Sequence, residues 1–305
     1  MPMDYSKRSK ARIFTQEFKN HVLDEYSKGV SQQKLSSNYN ISRASIRLWL
    51  KKSKIGIRPN RTHELDETLF DTIDSEEKAY ILGLIYADGC LQGTDIEIAL
   101  QEKDRELLEK VSIFVYNKIV LGFRSGKEFV STNGRLYVGQ NQVRFRICSR
   151  KVTNSLRKHG LCENKSFKIR MPSLHKDLVR HFIRGYFDGD GCLHINKSGL
   201  ESKHSIELLS NKDFCEDIKL ILSPLGIECS IEDNKNTNIK GLRICKSMSR
   251  KKFLDWIYKD ATMFLERKHK LYTDNYLWWC ASRYSISVGV LSSDTTTSCC
   301  INPAH

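Results

Sequence analysis

The chain has 305 residues and carries 50 Lys and Arg against 36 Asp and Glu, a formal net charge of +14. That length leaves room for about two domains with proper cores, and the basic excess points to a polyanionic partner. No apolar run approaches the ~20 residues a membrane span needs. The ten cysteines include no C-x-x-C pair and no secretory signal opens the chain, which disfavours a disulfide framework and fits a reduced, cytoplasmic protein.

In chain order, Met1 to Arg61 holds 14 basic and 4 acidic residues, a net of +10, leaving 36 minus 32, or +4, for the rest. Apolar periodicity accompanies this charge and predicts three short helices. Thr15 caps the first, with Phe18, Val22 and Tyr26 on one face and Gly29 at its end. Ser31 starts the second, anchored by Leu35 and Tyr39. Asn40-Ile41 makes a turn, and Ser42 caps a third helix whose Ile46, Trp49 and Leu50 face inward. This is helix-turn-helix spacing, similar to that of insertion-sequence transposases. It would bring Arg43, Ser45 and Arg47 to a DNA groove and leave Lys51 and Lys52 for phosphates. The all-α domain is expected over 1–55. Gly56, Pro59 and Asn60, then an acidic stretch from Glu64 to Asp71, read as a linker over 56–73. Asp74 with Glu77 makes a capping box for the helix that follows.

The strongest feature is a duplication. Ile81-Leu-Gly-Leu-Ile-Tyr-Ala-Asp-Gly-Cys-Leu91 and Ile183-Arg-Gly-Tyr-Phe-Asp-Gly-Asp-Gly-Cys-Leu193 match at six of eleven positions, 102 residues apart. Each copy reads as an apolar helix ending in an aspartate, Asp88 or Asp190, before a glycine where a left-handed cap is expected. An acid at a helix C-terminus faces the negative end of the dipole and needs a cation. Gly83 and Ala87, like Gly185 and Gly189, stand four apart on one helix face, so two such helices can approach closely and bring both carboxylates together. Paired acids raise each other's pKa unless a shared cation holds them ionised, and hard oxygen ligands favour Mg²⁺ or Mn²⁺.

These segments resemble the paired signature helices of the LAGLIDADG (DOD-type) homing endonucleases, in the form in which one chain carries both repeats. Ile96-Glu-Ile-Ala-Leu-Gln-Glu-Lys-Asp104 parallels Ile206-Glu-Leu-Leu-Ser-Asn-Lys-Asp213, and Phe145-Arg-Ile-Cys148 parallels Leu242-Arg-Ile-Cys245. The resemblance covers about Asp74 to Cys280 and implies an α+β fold. Two pseudo-symmetric αββαββα repeats, 74–172 and 173–280, would pack through their signature helices behind the helix-turn-helix domain. The Ser- and Thr-rich stretch 281–305 reads as a poorly ordered tail.

By the same resemblance, the chain would be a monomeric, site-specific endonuclease. It would hydrolyse both strands of a long, partly symmetric duplex DNA site with Mg²⁺ or Mn²⁺. Asp88 and Asp190 would hold the metal, helped by the backbone carbonyls of Ala87 and Gly189. Lys165 and Lys268 would be the basic residues beside the reacting phosphates. Strand residues Arg144 and Arg146, with Lys240 and Arg243, would face the DNA. Tyr86 departs from the pattern where Asp188 keeps an acid. Cys90 and Cys192 are assigned to packing, and His175 and His181 are too isolated for zinc. Competing readings are a non-catalytic transcriptional regulator and a maturase binding intron RNA. An intein origin is disfavoured by the Met start and the Asn-Pro-Ala-His305 end.

Overall fold

In the computed structural model, described over residues 14–56, 63–131, 134–194, 204–233 and 239–274, the chain divides into two units, Met1–His63 and Glu64–His305. The expected tail at 281–305, and residues 57–62 of the expected linker, lie outside the described residues.

The first unit holds three helices, α1 (Gln16–Ser27), α2 (Gln32–Tyr39) and α3 (Arg43–Lys52). Each starts where its cap requires, because the hydroxyls of Thr15, Ser31 and Ser42 accept from the amides of Phe18, Lys34 and Ser45. Asn40 turns the chain in the left-handed region, φ 48°, a conformation Asn tolerates better than most residues. Val22, Tyr26, Leu35, Ile46, Trp49 and Leu50 form this unit's own core.

The second unit is α+β. Its first half runs α4 (Glu76–Asp88), β1 (Gly89–Gln92), β2 (Asp95–Gln101), α5 (Arg105–Tyr116), β3 (Gly122–Arg124), β4 (Glu128–Val130), β5 (Leu136–Val138), β6 (Gln142–Cys148) and α6 (Arg150–Lys158). Its second half runs α7 (Lys176–Asp190), β7 (Gly191–His194), β8 (Ser205–Ser210), α8 (Lys212–Leu222), β9 (Ser230–Asp233), β10 (Lys240–Ile244), α9 (Ser247–Tyr258) and α10 (Glu266–Asp274). Each half forms a four-stranded antiparallel sheet of the same topology, β1-β2-β6-β3 and β7-β8-β10-β9. The β4–β5 hairpin is extra to the first half. One continuous core joins both halves, with inward strand residues such as Ile96, Ile98, Phe145, Ile206, Leu208 and Leu242 packed under the helices.

The matched glycines explain why α4 and α7 sit so close. A Cβ built on Gly83 would fall on the carbonyl of Phe182, and one built on Gly185 would fall on the carbonyl of Tyr80. The contact is reciprocal, so the two helices cross backbone to backbone, as the small-residue spacing predicts. Neither Gly89 nor Gly191 is a left-handed cap, however. Both are extended, at φ −73° and −85°, because a strand starts immediately. Glycine is needed there because a side chain would run into Ile85 or Phe187 of the helix just ended.

Two other expectations change. Helix α4 is capped by Ser75, whose hydroxyl accepts from the Lys78 amide at 3.3 Å, while Asp74 pairs with Lys78 at 2.8 Å. From residue 64 the expected linker is part of the second unit. Phe70 is fully buried, Leu65, Leu69 and Ile73 pack on the core, and Ser149 donates to Glu67 at 2.5 Å. The charged residues around these apolar positions made the segment read as solvated.

Candidate functional site

Asp88 and Asp190 are the last residues of α4 and α7, and the close helix crossing sets them side by side. Gly189 of α7 lies against Ala87, and a Cβ there would come within 2.9 Å of the Asp88 carboxylate. Burial, then the charge of Asp190, raises the Asp88 carboxyl to about 7 from an ordinary 3.8. Burial likewise raises Asp190, against the pull of Lys165, Lys268 and the Tyr186 hydroxyl.

The two lysines found by sequence position are neither exposed nor generic. Lys165 donates to the carbonyls of Tyr86, at 2.6 Å, and Ala87. Lys268 donates to those of Phe187, Asp188 and Gly191 at 2.6, 2.9 and 2.5 Å. Each therefore caps the C-terminus of one signature helix, where unpaired carbonyls and the dipole attract a cation. Burial pushes Lys268 down to about 8, and also lowers Lys165. The cations that the misplaced acids require are thus partly supplied by the chain itself. The carbonyl of Ala87, expected as a metal ligand, is engaged by Lys165, and Lys268 bypasses Gly189.

Several residues around the site take positions that the sequence did not assign, among them Asp188 and Tyr86, noted there only as a departure from the pattern. Asp188 is buried and accepts from the hydroxyls of Tyr80 and Tyr258 and the amide of Leu265, each at 2.7 Å. That last bond fixes the start of the segment carrying Lys268. Tyr86, its counterpart in the first half, instead donates to the His159 carbonyl at 2.6 Å at the end of α6. Fully buried Arg184 donates to the carbonyls of Met263 and Ile257, both at 2.8 Å, and pairs with Glu76 at 2.6 Å. It thereby ties the α9–α10 connection to α4. Arg267, next to Lys268, holds Asp104 of the first half at 3.0 Å, while Arg170 holds Asp217 of the second at 2.7 Å. Asp188 and Arg184 were detectable as charges inside apolar helices.

On β6, Arg144 and Arg146 share the outer face, away from the core residues Val143, Phe145 and Ile147, and both pair with Glu97. Arg243 occupies the corresponding face of β10 and pairs with Glu207 at 2.8 Å. Lys240 does not join it. Three residues from Arg243, it lies on the core side with Leu242 and Ile244 and pairs with Asp233. Strand alternation admits only even spacings on one face. Cys90 and Cys192 also sit on the outer faces, opposite Glu97 and Glu207, rather than in the core. On α3, Arg43, Arg47, Lys51 and Lys52 are exposed, Arg47 donates to Gln32 at 3.3 Å, and the half-buried Ser45 shares a 2.8 Å hydroxyl bond with Ser42.

Among the described residues no three His, Cys, Asp or Glu side chains are grouped to hold a metal ion, and no helix is long and apolar enough to cross a membrane.

Residues 177–258 match the family model of the LAGLIDADG-like domain. The replication factor C small subunit of Methanocaldococcus jannaschii is 35% identical over 97 residues, 30% of this chain and 5% of that protein. A Dictyostelium discoideum protein named intron-encoded DNA endonuclease ai2b is 25% identical over 151 residues, 46% of this chain and 55% of that one. The chain therefore spans a twentieth of the first relative's length and about half of the second's. The crystal structure of the I-LtrWI LAGLIDADG homing endonuclease bound to target DNA aligns over 67% of this chain and 89% of that chain. Its TM-score is 0.45 and its identity 14%.

Proposed function

This chain carries a LAGLIDADG-like domain, and from that premise we propose that it is a site-specific endonuclease that hydrolyses both strands of a duplex DNA target as a single chain. The observation that carries this reading is the pair Asp88 and Asp190, side by side at two crossed helix ends, Asp88 half-buried and Asp190 open to solvent, with a lysine on each end. The match to a relative named as an intron-encoded DNA endonuclease supports it.

Two adjacent carboxylates that desolvation, and for Asp88 also the charge of Asp190, push toward neutrality fit a divalent cation. Mg²⁺ or Mn²⁺ binds through one or two carboxylates and takes its other ligands from substrate phosphate and water. When bound, the cation supplies the Lewis acidity that activates water and stabilises the leaving 3′ oxygen. Asp88 and Asp190 would hold it. Lys165 and Lys268, fixed by helix-end carbonyls, oppose the negative charge that builds on the phosphate during in-line attack. Lys268→Gln is expected to lower the cleavage rate about a hundredfold with little change in DNA affinity, measured by single-turnover cleavage and by titration.

Residues 1–55 form the helix-turn-helix DNA-binding domain in this reading, ahead of the repeats at 74–172 and 173–280. Arg43, Ser45, Arg47, Lys51 and Lys52 extend the recognised site on one flank. Deleting residues up to Arg58 is expected to weaken binding and flatten its dependence on salt while sparing the rate of the bound complex. Titrations across a salt series check this, and unchanged affinity removes the flanking role.

The test of the whole reading is cleavage of DNA carrying candidate insertion loci in Mg²⁺. Double-strand breaks lost in Asp88→Asn and Asp190→Asn support it. Tight DNA binding without any cutting would fit the regulator instead, and preference for intron RNA over DNA would fit the maturase.

A further inference from the structure

The outer faces of the two sheets carry the same arrangement at the same register. In the first, Glu97 on β2 stands between Cys90 on β1 and Arg146 on β6. In the second, Glu207 on β8 stands between Cys192 on β7 and Arg243 on β10. Arg146 donates to Glu97 through Nε at 3.1 Å and Nη2 at 2.6 Å. Arg243 donates through Nε to Glu207 at 2.8 Å and pairs through Nη1 with Glu232 at 3.1 Å. The acids are mostly covered, with side chains 19% and 13% exposed, while the arginines are 50% and 42% exposed.

A carboxylate is a poor companion for an arginine that neutralises phosphate, because it cancels the local charge and repels the backbone. It suits an arginine that reads a base edge. Guanine N7 and O6 are uncharged acceptors that reward a rigid donor fork, and a side chain braced beforehand loses less entropy on contact. A second partner differs between the halves. Glu97 also takes Arg144, whereas Glu207 takes His194 at 3.0 Å. The bracing of the equivalent arginine is what the two halves share.

We propose that Glu97 and Glu207 are specificity-positioning residues, each bracing one arginine, Arg146 or Arg243, against a guanine at equivalent positions of the two half-sites. The inference rests on the DNA-endonuclease reading and goes beyond it by assigning two acids and a feature of the target. It implies that the target, though only partly symmetric elsewhere, keeps a matched pair of guanines about its centre, one on each strand.

Selection of the full-length chain on a randomised duplex library, without divalent metal, tests this. The wild type is expected to return guanines at two positions equidistant from the centre. Glu97→Ala should lose roughly ten- to hundredfold of guanine preference at one of these, and Glu207→Ala at the other. Glu97→Gln and Glu207→Gln, which keep side-chain shape and an acceptor, should lose less. Binding to nonspecific DNA should hold or tighten in all four variants, since each removes a negative charge. A wild-type motif without the paired guanines overturns the inference and leaves the endonuclease reading standing. So does an equal flattening of every position in the variants, or no change in any. Failure of the wild type to enrich any sequence overturns both.

Discussion

Replacing Asp88 with Asn is expected to cut DNA cleavage by about a thousandfold or more, roughly 4 kcal/mol of barrier, while making the metal-free protein more stable. The two effects share one cause. Burial and the charge of Asp190 lift the Asp88 carboxyl from 3.8 to about 7, so its ionised form costs the fold free energy. Between about pH 4 and pH 7 the folded state binds this proton and the unfolded state does not. Stability therefore falls as pH rises through that window and is level above it. Asn is never ionised. At pH 8 the variant is expected to gain roughly 2 to 4 kcal/mol, about 5–10 °C in melting midpoint for a unit of this size. Its pH slope between 4 and 7 should flatten. Mg²⁺ should raise the melting midpoint of the wild type, more so above pH 7, and do little for the variant. Thermal melts across pH with and without Mg²⁺, alongside cleavage assays, check every part. A variant that melts lower than the wild type at pH 8 would show that Asp88 is a structural ligand of Lys165 and Lys268, not a strained functional acid.

Gly83→Ala and Gly185→Ala are expected to destabilise the second unit by about 3 kcal/mol each. The added methyl meets the facing backbone, the Phe182 or Tyr80 carbonyl, with the amide of Tyr186 at 2.8 Å or of Leu84 at 2.9 Å. No rotamer relieves that contact, so the helices must separate, and Asp88 and Asp190 separate with them. Cleavage should fall even at temperatures where the variants remain folded. Gly122→Ala is the control. A Cβ there meets Arg144 only at 3.8 Å, an ordinary contact, and its melting midpoint should stay within about 2 °C of the wild type. Equal melting of all three would mean that the helix crossing tolerates more space than its geometry implies.

The parts of this molecule that were legible in sequence are those with local physical signatures. Thr15, Ser31 and Ser42 mark helix starts because a hydroxyl must satisfy the first free amides. The duplicated segment revealed the crossed helices because only small residues allow that approach, and the α+β architecture was implied by the family the segment resembles. Other features depend on what lies across the fold. Asp-Gly read as a helix cap, since nothing local announces that a strand begins at Gly89 or Gly191. Lys240 and Arg243 looked like a pair until the sheet register placed them on opposite faces. Phe70 looked solvated because its neighbours in sequence are acids, while its neighbours in space are apolar. Lys165 and Lys268 were located by position, yet the carbonyls they cap belong to helices 78 and 81 residues earlier. Such a partner has no sequence signal.

The ion pairs Arg267–Asp104 and Arg170–Asp217 cross between the halves. Each half's lysine-bearing stretch is fastened to the other half, at the residue before α5 in one direction and on α8 in the other. The halves are therefore interlocked like clasped hands: each lysine is seated on its own half's helix end, while the stretch that carries it is also held by the other half. The two halves can thus differ on the outer faces of their sheets, while the crossed fastenings still require both to remain present and matched.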